Sequence, residues 1–160
     1  MTGLEDVYNR YFKDIYFFIY SMSMDKHIAE DITSETFIKA IKSIDTFKGN
    51  CDIKAWLFQI AKNTYYSYIR KHKNLVVQDS LPEKEDGFDM ENSVVASEQS
   101  MKIHEILHNL PEPYKEVFSL RVFGELSFKQ ISSLFGKSEN WACVTYHRAR
   151  NKIREEMRDF

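Results

Sequence analysis

Ser127-Phe128-Lys129-Gln130-Ile131-Ser132-Ser133-Leu134-Phe135-Gly136-Lys137-Ser138-Glu139-Asn140-Trp141-Ala142 is the stretch on which the fold of this chain turns. Ser127 and Gln130 stand at capping-box spacing: the serine oxygen takes an orphan amide and the glutamine reaches back to the serine's own N–H. Gly136 stops that short helix, and Ser138 can N-cap another that runs to about Arg158. Two helices joined by a tight glycine-bearing turn make a helix-turn-helix, whose second member enters the major groove of duplex DNA. Ala142, Tyr146, Ala149 and Ile153 recur at helical spacing and form the inward face of that second helix. Glu139, Asn140, Cys143, Val144 and His147 are left on its outward, N-terminal side, with Arg148, Arg150, Lys152 and Arg154 as a cationic tail. Short polar groups suit base edges and cations suit phosphates, so the coincidence of turn, caps and basic tail favours DNA reading over a merely solvated basic face.

Upstream of this motif, Tyr114, Val117, Phe118, Leu120 and Val122 mark a helix ending near Gly124, and Met101, Ile103, Ile106 and Leu107 mark another. Leu110-Pro111-Glu112-Pro113 breaks the two apart. Between Gln78 and Gln99, seven acidic residues face one lysine, Lys84, with Pro82, Gly87 and no apolar period, which reads as an extended or disordered linker. The first half reads as three helices. Leu4, Tyr8, Tyr11, Ile15, Phe18 or Ile19, and Met22 predict one over about residues 3–22. A second starts at an Asp25 N-cap and runs to about Ile44, with Ile28, Ile32, Phe37, Ala40, Ile41 and Ile44 on its apolar side and Glu30, Asp31, Ser34, Glu35, Lys39 and Lys42 opposite. A loop through Phe47-Lys48-Gly49 follows. The third helix carries Ile53, Trp56, Leu57, Ile60, Ala61, Thr64, Tyr65, Tyr68 and Ile69 on one stripe, with Lys54, Lys62, Asn63, Tyr66, Ser67 and Arg70 on its polar side. The fold class expected is all-α: a three-helix domain over 1–73, an acidic linker over 74–98, and a helical domain with the helix-turn-helix over 99–160.

Composition agrees with helices and excludes several functions. Five Gly and three Pro among 160 residues leave few breakers. A net charge of -2 gives no global sign of nucleic-acid binding, so that signal rests on the local clustering of cations. Cys51 and Cys143 stand too far apart for a metal-ligand spacing and read as reduced thiols. The charged N-terminus lacks the apolar core of a signal peptide, and no apolar run approaches membrane-spanning length, so a soluble, cytoplasmic protein is expected. No phosphate-binding glycine loop, metal-binding His-Glu helix or paired nucleophile and base stands in the sequence, so neither an enzyme nor a cofactor or metal is expected.

Leu110-Pro111 with Tyr114-Lys115-Glu116-Val117-Phe118, then Glu125-Leu126-Ser127-Phe128-Lys129-Gln130-Ile131, then Tyr146-His147-Arg148-Ala149-Arg150-Asn151-Lys152-Ile153-Arg154, resembles the promoter-binding fourth region of extracytoplasmic-function sigma factors. Ala29-Glu30-Asp31-Ile32-Thr33-Ser34-Glu35-Thr36-Phe37-Ile38-Lys39-Ala40 resembles that family's polymerase-docking helix. Phe47-Lys48-Gly49, then Trp56-Leu57-Phe58-Gln59-Ile60-Ala61-Lys62-Asn63, resembles its loop and helix at the upstream edge of the melted bubble. The resemblance covers nearly the whole chain in the family's order. It departs at Ser34 and Ser67, where the family often has Gln and Asp, and at Trp141-Ala142-Cys143-Val144-Thr145-Tyr146, which replaces a Thr-Val-Lys-Ser-Arg-Leu run and removes two cations from the groove-facing start of the helix. Trp141 either fills a gap beside the turn or faces DNA.

What the resemblance implies is a sigma subunit that binds core RNA polymerase, recognises −10 and −35 promoter DNA and promotes melting. Asp31, Glu35 and Thr36 are then the polymerase-binding residues. Phe47, Lys48, Gly49, Lys62, Asn63, Tyr66 and Arg70 hold the −10 element, whose unpaired bases need aromatic platforms and cations. Ser138, Glu139, Asn140, Cys143, Val144, His147, Arg148 and Arg150 read the −35 element. An anti-sigma factor is an implied partner, and the free protein is expected to be a monomer. The alternative is a helix-turn-helix regulator acting without being a polymerase subunit. A DNA-cutting enzyme would need a carboxylate cluster or nucleophile in residues 1–73, and a plain adaptor would bind no nucleic acid.

Overall fold

The computed structural model describes residues 2–47, 52–76 and 97–158. Seven α-helices occur among them: α1 (Thr2–Ser23), α2 (Lys26–Ser43), α3 (Ile53–Val76), α4 (Ser97–His108), α5 (Tyr114–Val122), α6 (Phe128–Phe135) and α7 (Glu139–Arg158). A single 3-10 turn, Ile44–Thr46, follows α2. The fold class is all-α as expected. Helix α3 continues to Val76, past the expected end at 73, and α4 begins at Ser97; the rest of the acidic stretch lies outside the described residues.

The caps form where the sequence places them. Asp25 Oδ1 accepts from His27 N at 2.9 Å and Ile28 N at 3.1 Å to start α2. Asp52, which the spacing did not single out, caps α3 in the same way, its Oδ1 accepting from Ala55 N at 2.8 Å. Ser127 Oγ accepts from Gln130 N at 3.1 Å while Gln130 Oε1 accepts from Ser127 N at 2.8 Å, so the capping box is closed on both sides. Gly136 takes φ 66° and ψ 33°, a left-handed conformation that turns the chain from α6 toward α7.

Packing departs from two independent cores. Ile15, Phe18, Ile19 and Met22 of α1, Ala29, Ile32, Phe37 and Ala40 of α2, and Leu57, Phe58, Ala61 and Tyr65 of α3 form a core that continues into Val117 and Leu120 of α5, Leu126, Ile131 and Leu134 around α6, and Ala142 of α7. A smaller cluster of Ile106, Leu107, Leu110, Ala149 and Ile153 lies wholly in the second half. Phe58 falls outside the apolar stripe expected for α3, yet it is fully buried, because α3 packs on both halves. A Cβ added at Gly124 would stand 2.8 Å from the Phe58 ring and 2.8 Å from the Leu120 carbonyl, so the turn after α5 admits Phe58 only because that residue has no side chain.

Helix α2 corrects one reading. Its buried residues are Ala29, Ile32, Thr33, Thr36, Phe37 and Ala40, whereas Ile41, expected inside, is 54% exposed. The buried threonines rotate the inward face away from Ile41; Thr36 Oγ1 satisfies itself by donating to Ile32 O at 2.7 Å.

A second contact between the halves brings His104 of α4 against Tyr20 of α1, with ring centroids 6.0 Å apart, and against Phe123 at 6.1 Å. Its Nδ1 is buried without a hydrogen-bond partner, and burial lowers its pKa from the ordinary 6.5. The folded form therefore resists a proton that the unfolded chain accepts, and the stability from burying neutral His104 is complete above 6.5 and lost as pH falls from there through the depressed folded value. Thermal melts from about pH 7.5 to about 5.5 should show a falling Tm, and His104→Phe should make that fall shallower. Identical pH slopes for the two proteins would refute the assignment. Gly136→Ala meets nothing within 4 Å, so its cost is backbone strain alone. It should destabilise by about 1 kcal/mol, lowering Tm by roughly 2–4 °C, as measured by circular dichroism.

Candidate nucleic-acid interface

The position of α7 on the rest of the second half determines which of its side chains can meet DNA. Ala142, Thr145, Ala149 and Ile153 are buried, and Tyr146 is half-buried beneath the helix. Small residues at 142 and 149 let α7 approach closely. Tyr146 then stacks on Phe118 at 5.7 Å and meets the tilted ring of Phe128 at 5.6 Å. Arg121 holds this stack together: its guanidinium lies 4.0 Å from the Phe128 centroid and donates to Leu126 O at 3.1 Å. Ser138 accepts from Trp141 N at 3.0 Å and acts as the N-cap. Glu139, Asn140, Val144, His147, Arg148 and Arg150 are exposed, and Cys143 is half-buried beside them. Trp141 packs on Phe135 at 5.1 Å with Lys137 over its ring at 5.9 Å, so its indole fills the gap beside the turn.

On α2, Asp31 and Glu35 are exposed one turn apart, and Glu35 pairs with Lys39 at 3.3 Å. Thr36, expected beside them at the docking face, is 0% exposed and points into the core, so it offers nothing to a partner surface. Phe47 is half-buried with its ring 4.9 Å from Trp56. Lys48 and Gly49 lie outside the described residues. Asn63 is exposed, accepts from Gln59 at 3.3 Å, and lines an open groove of about 340 Å³ with Lys39, Lys42, Ser43, Ile60 and Thr64. Arg70 is exposed and donates to Ser67 at 3.2 Å.

Lys62 and Tyr66 are not with Asn63. Lys54, Phe58, Lys62 and Tyr66 recur every fourth residue along α3, and this row faces the second half. Lys54 donates to Glu125 O at 3.2 Å and pairs with Asp14 at 3.4 Å. The Lys62 side chain is 15% exposed, with its Nζ 3.2 Å from Glu116 Oε2 and 3.8 Å from the Phe135 ring centroid. Tyr66 donates to Glu116 Oε1 at 3.0 Å. Burial, and after it the charges of Glu116 and Glu112, raises the Tyr66 pKa well above the ordinary phenol value, so the hydroxyl keeps its proton and remains a donor.

Glu116 had no role in the sequence reading. It is buried on α5, and its amide donates to Glu112 Oε1 at 3.0 Å. Burial raises the Glu112 pKa, and the Glu116 charge pushes it the same way while the bond from the Glu116 amide opposes. A signal for Glu116 was present: it shares a helical face with Leu120 and adjoins Val117, so an acid stands on an apolar stripe.

Two family models match the chain, Sigma-70 region 2 over residues 7–75 and Sigma-70, region 4 over residues 100–153. The chain is 35% identical over 157 residues to the ECF RNA polymerase sigma factor SigM of Bacillus subtilis, covering 94% of this chain and 93% of that protein. It is 32% identical to ECF RNA polymerase sigma factor SigW of the same organism, covering 96% and 88%. Its fold is similar to that of the sigma factor RpoE from Bartonella quintana, solved with the anti-sigma factor NepR, with a TM-score of 0.76, 22% identity, and coverage of 99% of this chain and 98% of that one. With both regions matched in order and relatives aligned over nearly its full length, the chain belongs to the extracytoplasmic-function sigma factors of the sigma-70 family, the transcription initiation factors that bring core RNA polymerase to promoter DNA.

Proposed function

We propose that this sigma factor divides its work between residues 1–73 and 99–160, with the acidic segment 74–98 as the tether. The reading rests above all on α7, where the inward positions are buried and Asn140, Val144, His147, Arg148 and Arg150 are left exposed behind a capped turn. In this assignment Asn140 and His147 supply donors and acceptors for −35 base edges, and Cys143 and Val144 contact thymine methyl groups. Ser138 and Glu139 belong to the same end of the helix, and Arg148 and Arg150 hold phosphates. Asp31 and Glu35 form the polymerase-docking face, which their exposure supports. Phe47, Lys48, Gly49, Lys62, Asn63, Tyr66 and Arg70 are assigned to the −10 strand.

An anti-sigma factor is a further partner in this reading, as the RpoE relative was solved with one. The free chain acts as a cytoplasmic monomer and catalyses no reaction of its own; no described helix is long and apolar enough to cross a membrane. A free-standing helix-turn-helix regulator would leave the first half, matched as Sigma-70 region 2, without a role.

Asp31→Lys with Glu35→Lys should weaken binding to core polymerase by about a hundredfold with helicity unchanged, since like charges brought together across an interface cost several kcal/mol. Undiminished co-purification with core enzyme would remove the docking assignment. Transcription of a randomised −35 library by holoenzyme tests the second region. Asn140→Ala should relax one base position by about 1–3 kcal/mol, while Arg148→Ala or Arg150→Ala should weaken all sequences alike and reduce the salt slope by about one. A preference that stays fixed in Asn140→Ala and shifts in the arginine variants would reverse the orientation of α7.

A further inference from the structure

Helix α7 begins without a cation. Residues 139–147 hold no lysine or arginine, and the first on the helix is Arg148. That leaves about 14 Å of helix axis without a cation at the end that carries Asn140, facing a DNA groove about 12 Å wide and walled by phosphates. Phosphate neutralisation supplies much of a protein's affinity for DNA, so a cation is required at this end too. Lys137, in the turn just before the Ser138 cap, is exposed there. Its amide donates to Ser132 O at 3.0 Å, which pins the backbone, and its ammonium lies 5.9 Å from the centroid of the Trp141 ring. Trp141 is itself held, by its amide to Ser138 Oγ at 3.0 Å and by its ring against Phe135 at 5.1 Å. We propose that Lys137, seated on the Trp141 indole, is a phosphate clamp at the N-terminal end of α7, and that Trp141 is the positioning residue that holds it there.

The proposal rests on the reading of α7 as the −35 helix and adds to it two residues outside the base-reading set. What sets Lys137 apart is its surroundings. Lys39, Lys54 and Lys62 stand 3.3, 3.4 and 3.2 Å from the carboxylates of Glu35, Asp14 and Glu116. No carboxylate among the described residues pairs with Lys137 in this way, so its charge is not already neutralised within the protein. An aromatic face attracts a cation without neutralising it, steadying the stem and leaving the ammonium's donors for a partner. Restricting the lysine before DNA arrives lowers the freedom lost on binding. The same contact accounts for an aromatic residue at 141. Filling the gap against Phe135 needs only an apolar side chain, whereas supporting an ammonium needs a π face.

The test is a gel shift of holoenzyme on a promoter duplex selected from the randomised −35 library, repeated from about 50 to about 200 mM salt. Lys137→Ala should bind about fivefold more weakly and lower the salt slope by about one, with the preferred −35 sequence unchanged. Lys137→Arg should keep both. Trp141→Leu, which retains an apolar side chain on Phe135, should weaken binding about threefold, whereas Trp141→Phe, which retains a ring, should not. The double variant Lys137→Ala with Trp141→Leu should bind no more weakly than Lys137→Ala alone, because the ring acts through the cation. A salt slope unaltered in Lys137→Ala overturns the clamp, and additive losses in the double variant overturn the positioning role of Trp141. An equal loss in Lys13→Ala, an exposed cation on α1, would reveal a bulk charge effect and also overturn the clamp. Thermal melts establish that each variant is folded, and Lys137→Ala, at an exposed position, decides the proposal if Trp141→Leu is not. Arg148→Ala separates the two levels. With no loss of slope there either, the −35 reading of α7 falls, whereas a loss confined to Arg148→Ala sinks the clamp alone.

Discussion

A carboxylate and an ammonium removed from water are tolerated only when each finds a partner, and in this protein the partners come from different halves of the chain. Lys62 and Glu116 meet at 3.2 Å with side chains 15% and 6% exposed, and Tyr66 takes the second carboxylate oxygen at 3.0 Å. Breaking one side of such a pair costs more than the pair contributes, because the survivor is left buried and unsatisfied. The seam between the halves is thus specified as well as sticky. Phe58 against Gly124 supplies apolar burial, while Lys62, Tyr66 and Glu116 fix which turn of α3 faces which turn of α5.

The second half solves a different problem: α7 must be fixed firmly while leaving its outer surface free. The inward positions 142 and 149 are alanine, and Thr145 between them is buried, which brings α7 close enough for Tyr146 to stack on Phe118 and pack against the tilted ring of Phe128. Arg121 closes that stack from beneath and ties it to the turn through the Leu126 carbonyl. Rigidity of this kind serves recognition, because a helix already held in place loses little freedom when it meets a partner. The cations Arg148, Arg150, Lys152 and Arg154 then remain exposed along the outer face.

Local chemistry was legible in the sequence, and contacts between distant segments were not. Asp25, Ser127 with Gln130, Gly136 and Ser138 act through neighbours a few residues away, so their spacing alone predicted the helix ends. The inward face of α7 followed from its period for the same reason. Ile41 was misplaced because apolar periodicity undervalues threonine: Thr33 and Thr36 are buried on α2 and take the inward positions. Thr36 went with it, a residue expected at a docking face that instead spends its hydroxyl on the Ile32 carbonyl. Phe58 and Glu116 were overlooked for a common reason. Each is buried by a segment far along the chain, Phe58 at the turn holding Gly124 and Glu116 against α3; Phe58 lies off the apolar stripe of its own helix, and the acid on the stripe of α5 does not by itself name the helix that covers it. The exposure of Asn63 and the enclosure of Tyr66, three residues apart on one polar side in the sequence, show how finely a helix face can be divided once two neighbours pack on it.

The composition of the seam bears on how it can open. A contact held by apolar area alone would return that area to water on opening. Much of this one is polar: Lys62 with Glu116, Tyr66 with Glu116, Gln130 with Asp52, and Lys54 with the Glu125 carbonyl. Each of these groups can exchange its partner for water, or for a phosphate in the case of the lysines, at a small net change, since hydrogen bonds to protein and to solvent nearly offset one another. What resists opening is the apolar remainder around Phe58, Leu120 and Leu126, together with the buried His104 between Tyr20 and Phe123. A partner that covers that apolar surface while the polar groups of the seam exchange their partners would replace the closed contact piece by piece, without a step in which both the charges and the core are left exposed at once.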